Sequence, residues 1–267
     1  MLADNKYITP LDKRRICPSD NIEKSQGLFY MKADYEMAEV MTKGNISALV
    51  GRAKGRKSYF IKLLIASMKG YRDDQFTSSV KGKVVLFDTE QAKYHIWKAT
   101  KQIEQMLGSW PVDIEVFGLR PDMTSDRINL IESYIYQQEP EIVFIDGIRD
   151  LVTDINDATQ ATEIVGKLMK WSYEKDCHIC CVLHQNKADE NARGHIGTEL
   201  VNKSETVISI NKVFGDTMYS EVKSLYTRGH EIKDFYFSIE SSVPVVKHDV
   251  IKALERQYET TKEEAPF

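Results

Sequence analysis

The 267-residue sequence has no apolar run approaching the roughly 18–20 residues that a membrane-spanning helix needs. Residues 1–10 also lack the apolar segment of a secretion signal. Together these absences predict a cytoplasmic protein with no membrane partner. Cysteine is scarce as well. Of four in the chain, Cys177, Cys180 and Cys181 stand in an apolar run beside His178. Adjacent residues of a strand face opposite ways, so this group reads as buried strand cysteines rather than as zinc ligands. Positive charge is not in excess: 36 Lys and Arg against 40 Asp and Glu leave a net charge of −4. That balance argues against a surface that coats nucleic acid nonspecifically, but it leaves room for a locally basic loop. There is no internal repeat and no low-complexity linker, which favours one domain with terminal appendages.

What is present is an alternation of short apolar runs with helical patterns. Apolar strands are expected over residues 46–50, 83–87, 113–117, 142–145 and 178–183, and helices over 57–68, 94–107, 125–138 and 161–175. This rhythm predicts an α/β protein with a mostly parallel sheet covered on both faces. Past residue 207 the pattern changes to strands of alternating polarity, at 207–213, 220–227 and 234–239, read as antiparallel strands that extend the sheet. Residues 1–26 are polar and read as an arm, 33–41 as a short helix or a strand-bordering segment, 251–260 as a last helix and 262–267 as a tail. The expected division is an arm and linker over 1–40, a core over 41–248, and a C-terminal helix and tail over 249–267.

Between the first strand and the first helix of that core stands Gly51-Arg52-Ala53-Lys54-Gly55-Arg56-Lys57-Ser58, followed by Tyr59. A glycine turn at such a junction aims backbone N–H groups at a phosphate, and the helix N-terminus adds partial positive charge. Gly51, Lys57 and Ser58 keep the spacing of G-x-x-x-x-G-K-[ST], in which the lysine reaches the β/γ-phosphates of ATP and the hydroxyl ligates Mg²⁺. Arg56 stands where the motif has glycine, and Gly55 precedes it. The bland reading is a basic turn before a surface helix.

Two later strand ends strengthen the phosphate reading. Ile142-Val143-Phe144-Ile145 ends in Asp146, the position of a carboxylate that orients a nucleotide's Mg²⁺; Asp150 lies beyond the strand tip. Val84-Val85-Leu86-Phe87 ends in Asp88-Thr89-Glu90, and Glu90 is placed to polarise an attacking water, with Asp88 as a possible metal ligand.

In this order, with Val182-Leu183-His184-Gln185-Asn186 after them, these features resemble the RecA-superfamily ATPases. The nearest branch is the hexameric, RepA-like helicases of plasmids and mobile elements. The resemblance covers residues 44–239. It implies a RecA-like core, ATP hydrolysis with Mg²⁺, Glu90 as catalytic base, and His184 or Gln185 as sensor of the γ-phosphate. It also implies a homo-oligomeric, hexamer-type ring acting on single-stranded DNA in replication or mobilisation. The polar stretch 186–199 takes the place of a flexible DNA-contacting loop, with Lys187, Arg193 and His195 as phosphate contacts and no aromatic residue for base stacking. From the late strands, Arg228, or failing it Lys223, is expected to complete a neighbouring subunit's site. Two other readings remain: a nucleotide-switched assembly protein that unwinds nothing, and a degenerate module that only binds partners.

Overall fold

The computed structural model describes residue 11 and residues 14–185, 192–213, 216–248 and 250. Among these, nine strands form one sheet. Its parallel part is ordered β9 (Thr206–Val213), β3 (Ile46–Gly51), β8 (His178–His184), β7 (Ile142–Asp146), β5 (Val84–Asp88) and β6 (Ile114–Gly118). Beyond β9 the sheet continues antiparallel through β10 (Asp216–Thr227), β11 (Phe235–Glu240) and β12 (Val243–Lys247). The fold is therefore the α/β, largely parallel architecture expected, with antiparallel strands at its C-terminal side. Residues 207–213 do not simply join that extension. Strand β9 runs parallel to β3 on one side and antiparallel to β10 on the other.

The central strands are apolar throughout because both faces are covered. On one face pack α1 (Lys57–Met68) and α2 (Lys93–Leu107), and on the other α3 (Thr124–Gln138), α4 (Ala158–Lys175) and α5 (Gly194–Lys203). Helix α1 is not the surface helix of the bland reading, since ten of its twelve residues are buried. Its outer side is roofed by a second, three-stranded sheet in the order β2 (Met37–Thr42), β1 (Gly27–Lys32), β4 (Phe76–Ser78). An aromatic seam joins this roof to the main sheet: Phe29 on Phe76, Phe76 on Phe235, and Phe235 and Phe237 on Phe60, with centroids 5.6–6.1 Å apart.

Residues 27–40, expected in the arm and linker, thus supply most of two strands, 27–32 and 37–42, whose apolar residues belong to the core. Over 33–41 the chain is neither a helix nor only a border to a strand: from Met37 onward it is strand β2 itself. The roof strands escape sequence reading because β1 and β2 pair through register shifts, which blur their alternation. The described part of 186–199 is not a loop either. From Gly194 it is the start of α5, which buries Ile196 and Leu200 against the sheet. The helix expected over 251–260, the tail 262–267 and Lys187 lie outside the described residues.

Candidate active site

The carboxyl ends of β3, β5, β7 and β8 meet at one edge of the sheet, where a cleft of about 580 Å³ opens beside the N-terminus of α1. Open α/β sheets hold ligands at such an edge. Residues 51–58 form its lip. Gly51 and Gly55 are required there for close approach rather than for unusual dihedrals. A Cβ on Gly51 would collide with the Ile210 carbonyl of β9, and one on Gly55 would lie 2.7 Å from the same oxygen and 2.9 Å from that of Arg52. The left-handed positions fall instead on Lys54 (φ 62°) and Arg56 (φ 73°). Arg56, where the motif has glycine, adopts the backbone that glycine would supply, at a cost of roughly 1–2 kcal/mol. Its guanidinium donates to the Met218 carbonyl of β10 at 2.6 Å, which offsets part of that strain.

Lys57 begins α1, and its buried ammonium turns back onto the loop. It donates to the carbonyls of Gly51 (2.9 Å) and Arg52 (3.1 Å) and to Nδ1 of His184 (3.1 Å). An ammonium has no acceptor, so Nδ1 of His184 carries the lone pair and Nε2 the proton. That Nε2 faces Glu90 Oε1 at 3.9 Å, beyond direct hydrogen-bond reach. His184 nearby holds the Glu90 carboxyl below its usual range. Burial lowers the Lys57 ammonium, against the pull of Asp146 and Glu90. Ser58 Oγ donates to Asp146 Oδ2 at 2.7 Å. Burial pushes Asp146 up to about 6, with the Ser58 hydrogen bond acting the other way.

Asp88 lies in register with Asp146 across β5 and β7. Its oxygens are engaged by the turn that follows: Oδ1 accepts from the N–H groups of Glu90 (3.0 Å) and Gln91 (2.7 Å), and Oδ2 from the Gln91 amide (2.6 Å). Asp88 therefore sets the turn that presents Glu90. Asp150 sits on a 3-10 turn (Ile148–Leu151), where it accepts from Thr89 Oγ1 at 3.0 Å. Gly147, at φ 104°, lets Thr89 and Glu90 pack against the chain; a side chain there would strike both.

Gln185 is the sequence candidate with the least expected partner. Its backbone N–H donates to the Gly51 carbonyl (3.0 Å), and its side-chain oxygen accepts from Asn211 Nδ2 (3.0 Å). Asn211 Oδ1 in turn accepts from the Arg52 N–H (2.8 Å), so this β9 residue ties Gln185 to the phosphate loop. Nothing in the sequence marks Asn211. Only the pairing of β9 beside β3 reveals it. Arg149 and Lys212 also line the cleft unannounced, as does Lys62, a buried ammonium one turn along α1 from Ser58. Lys62 donates to Gln102 Oε1 at 2.5 Å and lies 3.6 Å from the Tyr59 ring centre; burial lowers it to about 8.

The late cations are elsewhere. The Arg228 N–H donates to the Glu205 carbonyl, and the Glu205 N–H to that of Ile46, so Arg228 stands at the amino edge of the sheet, opposite the phosphate loop. Lys223, midway along β10, pairs with Glu221 at 2.9 Å. Arg193 and His195 stand at the start of α5, with the Arg193 N–H donating to the His184 carbonyl.

The family model described as an AAA domain matches residues 32–190, more than half of the chain. This chain belongs to the AAA-domain family. It is a P-loop ATPase, and the phosphate loop, Glu90, Asp146 and His184 all fall inside the matched span of the AAA domain. The match ends before β9, so Asn211 and the antiparallel strands lie outside it. No curated protein matches the sequence.

Proposed function

We propose that the cleft hydrolyses ATP with Mg²⁺ and that the protein is a RepA-like, DNA-associated motor of a mobile element. The observation that carries the catalytic part is the convergence of Lys57, Ser58, Asp146, Glu90 and His184 at one sheet edge. Residues 51–59 hold the phosphates, through the loop's N–H groups, the start of α1 and Lys57. A hydroxyl and a carboxylate already 2.7 Å apart, Ser58 and Asp146, are a hard-oxygen pair suited to Mg²⁺. When bound, that ion neutralises charge on the β- and γ-phosphate oxygens. Glu90, kept ionised at neutral pH, is the base for the attacking water. His184 shares its position with both Lys57 and Glu90 and registers loss of the γ-phosphate; Gln185 passes it on through its backbone contact with Gly51. Arg228 acts on a neighbour's site in trans.

The ATPase unit in this reading is 41–248 together with the two strands before it. It works in a hexamer-type ring around single-stranded DNA. The net charge of −4 favours a second reading, a nucleotide-switched assembly ATPase without unwinding. ATPase measured with Mg²⁺, with and without single-stranded DNA, separates the two: DNA stimulates a motor. Lys57→Ala abolishes turnover in either case, and retained hydrolysis would falsify the site. Mixing Arg228→Ala subunits with Lys57→Ala subunits restores hydrolysis if the trans role holds, and no restoration removes it.

A further inference from the structure

Helix α2 exposes a run of cations and aromatics that the ATPase reading leaves unused. From Lys93 to Lys101 it puts Lys93, Tyr94, Trp97 and Lys101 at the surface, while His95 and Lys98 border the cleft, and there is no acid among these nine residues. In a chain of net charge −4 this is a local reversal of sign. Tyr94 is 62% and Trp97 53% exposed, and their ring centres lie 5.7 Å apart. Trp97 also borders a groove with Trp110 and Phe117 along the edge strand β6. The two acids of that groove are already matched: Glu104 by Lys101 at 2.6 Å and Glu115 by Lys83 at 2.5 Å.

Side-by-side exposed rings flanked by lysines suit one ligand chemistry well. Unstacked bases present π-faces to the rings, and their phosphates meet the cations. A duplex buries its base faces and offers only phosphates, so the match is to a single strand. We propose that the exposed face of α2 is a stacking platform for single-stranded nucleic acid. It deepens the DNA-associated reading above and rests on it for its biological sense. It differs in place, because the stretch 186–199 has no aromatic residue. Position also couples the platform to the cleft. Helix α2 begins at Lys93, directly after the turn in which Asp88 holds the N–H groups of Glu90 and Gln91. A strand that draws on the first turn of α2 therefore bears on Glu90.

The test is the anisotropy of a fluorescein-labelled oligo-dT, measured without nucleotide, with tryptophan emission recorded on the same titration. Binding should quench the emission. Trp97→Ala and Tyr94→Ala should each weaken binding by about five- to a hundred-fold, the range of one lost base stack. Lys93→Gln should flatten the dependence of log affinity on log salt by about 0.7. Circular dichroism melting checks that each variant folds. Absence of binding, equal affinity for duplex, or unchanged affinity in Trp97→Ala overturns the platform. So does a fall in mass of Trp97→Ala with oligo-dT affinity intact, which assigns the face to contact between copies. Lys57→Ala keeps oligo-dT binding while losing hydrolysis, so failure of the platform and failure of the nucleotide site read separately.

Discussion

Single side chains at the cleft decide more than the phosphate motif alone reveals. Arg56 is the clearest case. As a sequence feature it is a missing glycine; in the fold it is an arginine in glycine's backbone, tethered to Met218. Arg56→Gly should relieve the left-handed strain and forfeit the tether, so stability by denaturant melting should move by no more than about 1 kcal/mol. Gly51→Ala has no such compensation, because its methyl meets the Ile210 carbonyl, and it should destabilise by about 1–3 kcal/mol. Asn211→Leu strands the Arg52 N–H and releases Gln185. It should cut kcat/KM at least tenfold, while Asn211→Asp, which keeps the acceptor for Arg52, should retain nucleotide binding and lose only turnover. Below the sheet, His178 is fully buried. Its Nδ1 donates to the Thr42 carbonyl (2.9 Å) and its Nε2 accepts from Ser47 Oγ (2.8 Å). Burial lowers it to about 4, so the folded protein binds its proton less readily than the unfolded chain does. Its contribution is complete above pH 6.5 and is lost as pH falls toward 4, by on the order of 3 kcal/mol. Urea melts at pH 7 and 4.5 should show that loss in the native protein and a smaller one in His178→Gln.

At the scale of elements, the parallel core was legible because each strand is a short apolar run and each helix a periodic one. Helix α1 and the tips of β3, β5, β7 and β8 fall within a residue or so of their expected places. What was not legible depends on partners distant in the chain. Strands β1, β2 and β4 gain meaning only as a roof over α1, and an apolar helix such as Phe60–Met68 gives no sign of which element will cover it. Helix α5 hides in a polar stretch because few of its residues, Ile196, Gly197, Leu200 and in part Val201, face inward. Of the candidate site, the residues at strand ends were readable, while Asn211, Lys62 and Arg149 were not, since each reaches the cleft from the side. The roof carries its own prediction. Phe76→Ala opens the aromatic seam between Phe29 and Phe235 and should destabilise by about 3–5 kcal/mol, read as a lower melting midpoint.

For the whole molecule, the described chain is one body with two covered faces and a single edge at which the cleft residues gather. The cationic, aromatic face of α2 lies beside that edge, and the family match ends just before the strands on its other side. Nucleotide and nucleic acid would then flank α2, the one beside His95, Lys98 and Gln102 and the other beside Tyr94, Trp97 and Lys101. ATPase stimulation by oligo-dT should disappear in Trp97→Ala while basal hydrolysis persists.

Strand β10 has a consequence for assembly. It passes Met218, held by Arg56 beside the phosphate loop, and ends at Thr227, next to Arg228 at the opposite edge. The described chain is therefore polar, with a nucleotide edge and an arginine edge. A two-fold pair brings Arg228 to its partner's phosphate loop only if one shared patch takes in both edges. If the two edges belong to separate patches, the trans role proposed for Arg228 requires copies to join head to tail, arginine edge to nucleotide edge. Contacts of that kind never stop at two: they close into a ring or wind into an open helix.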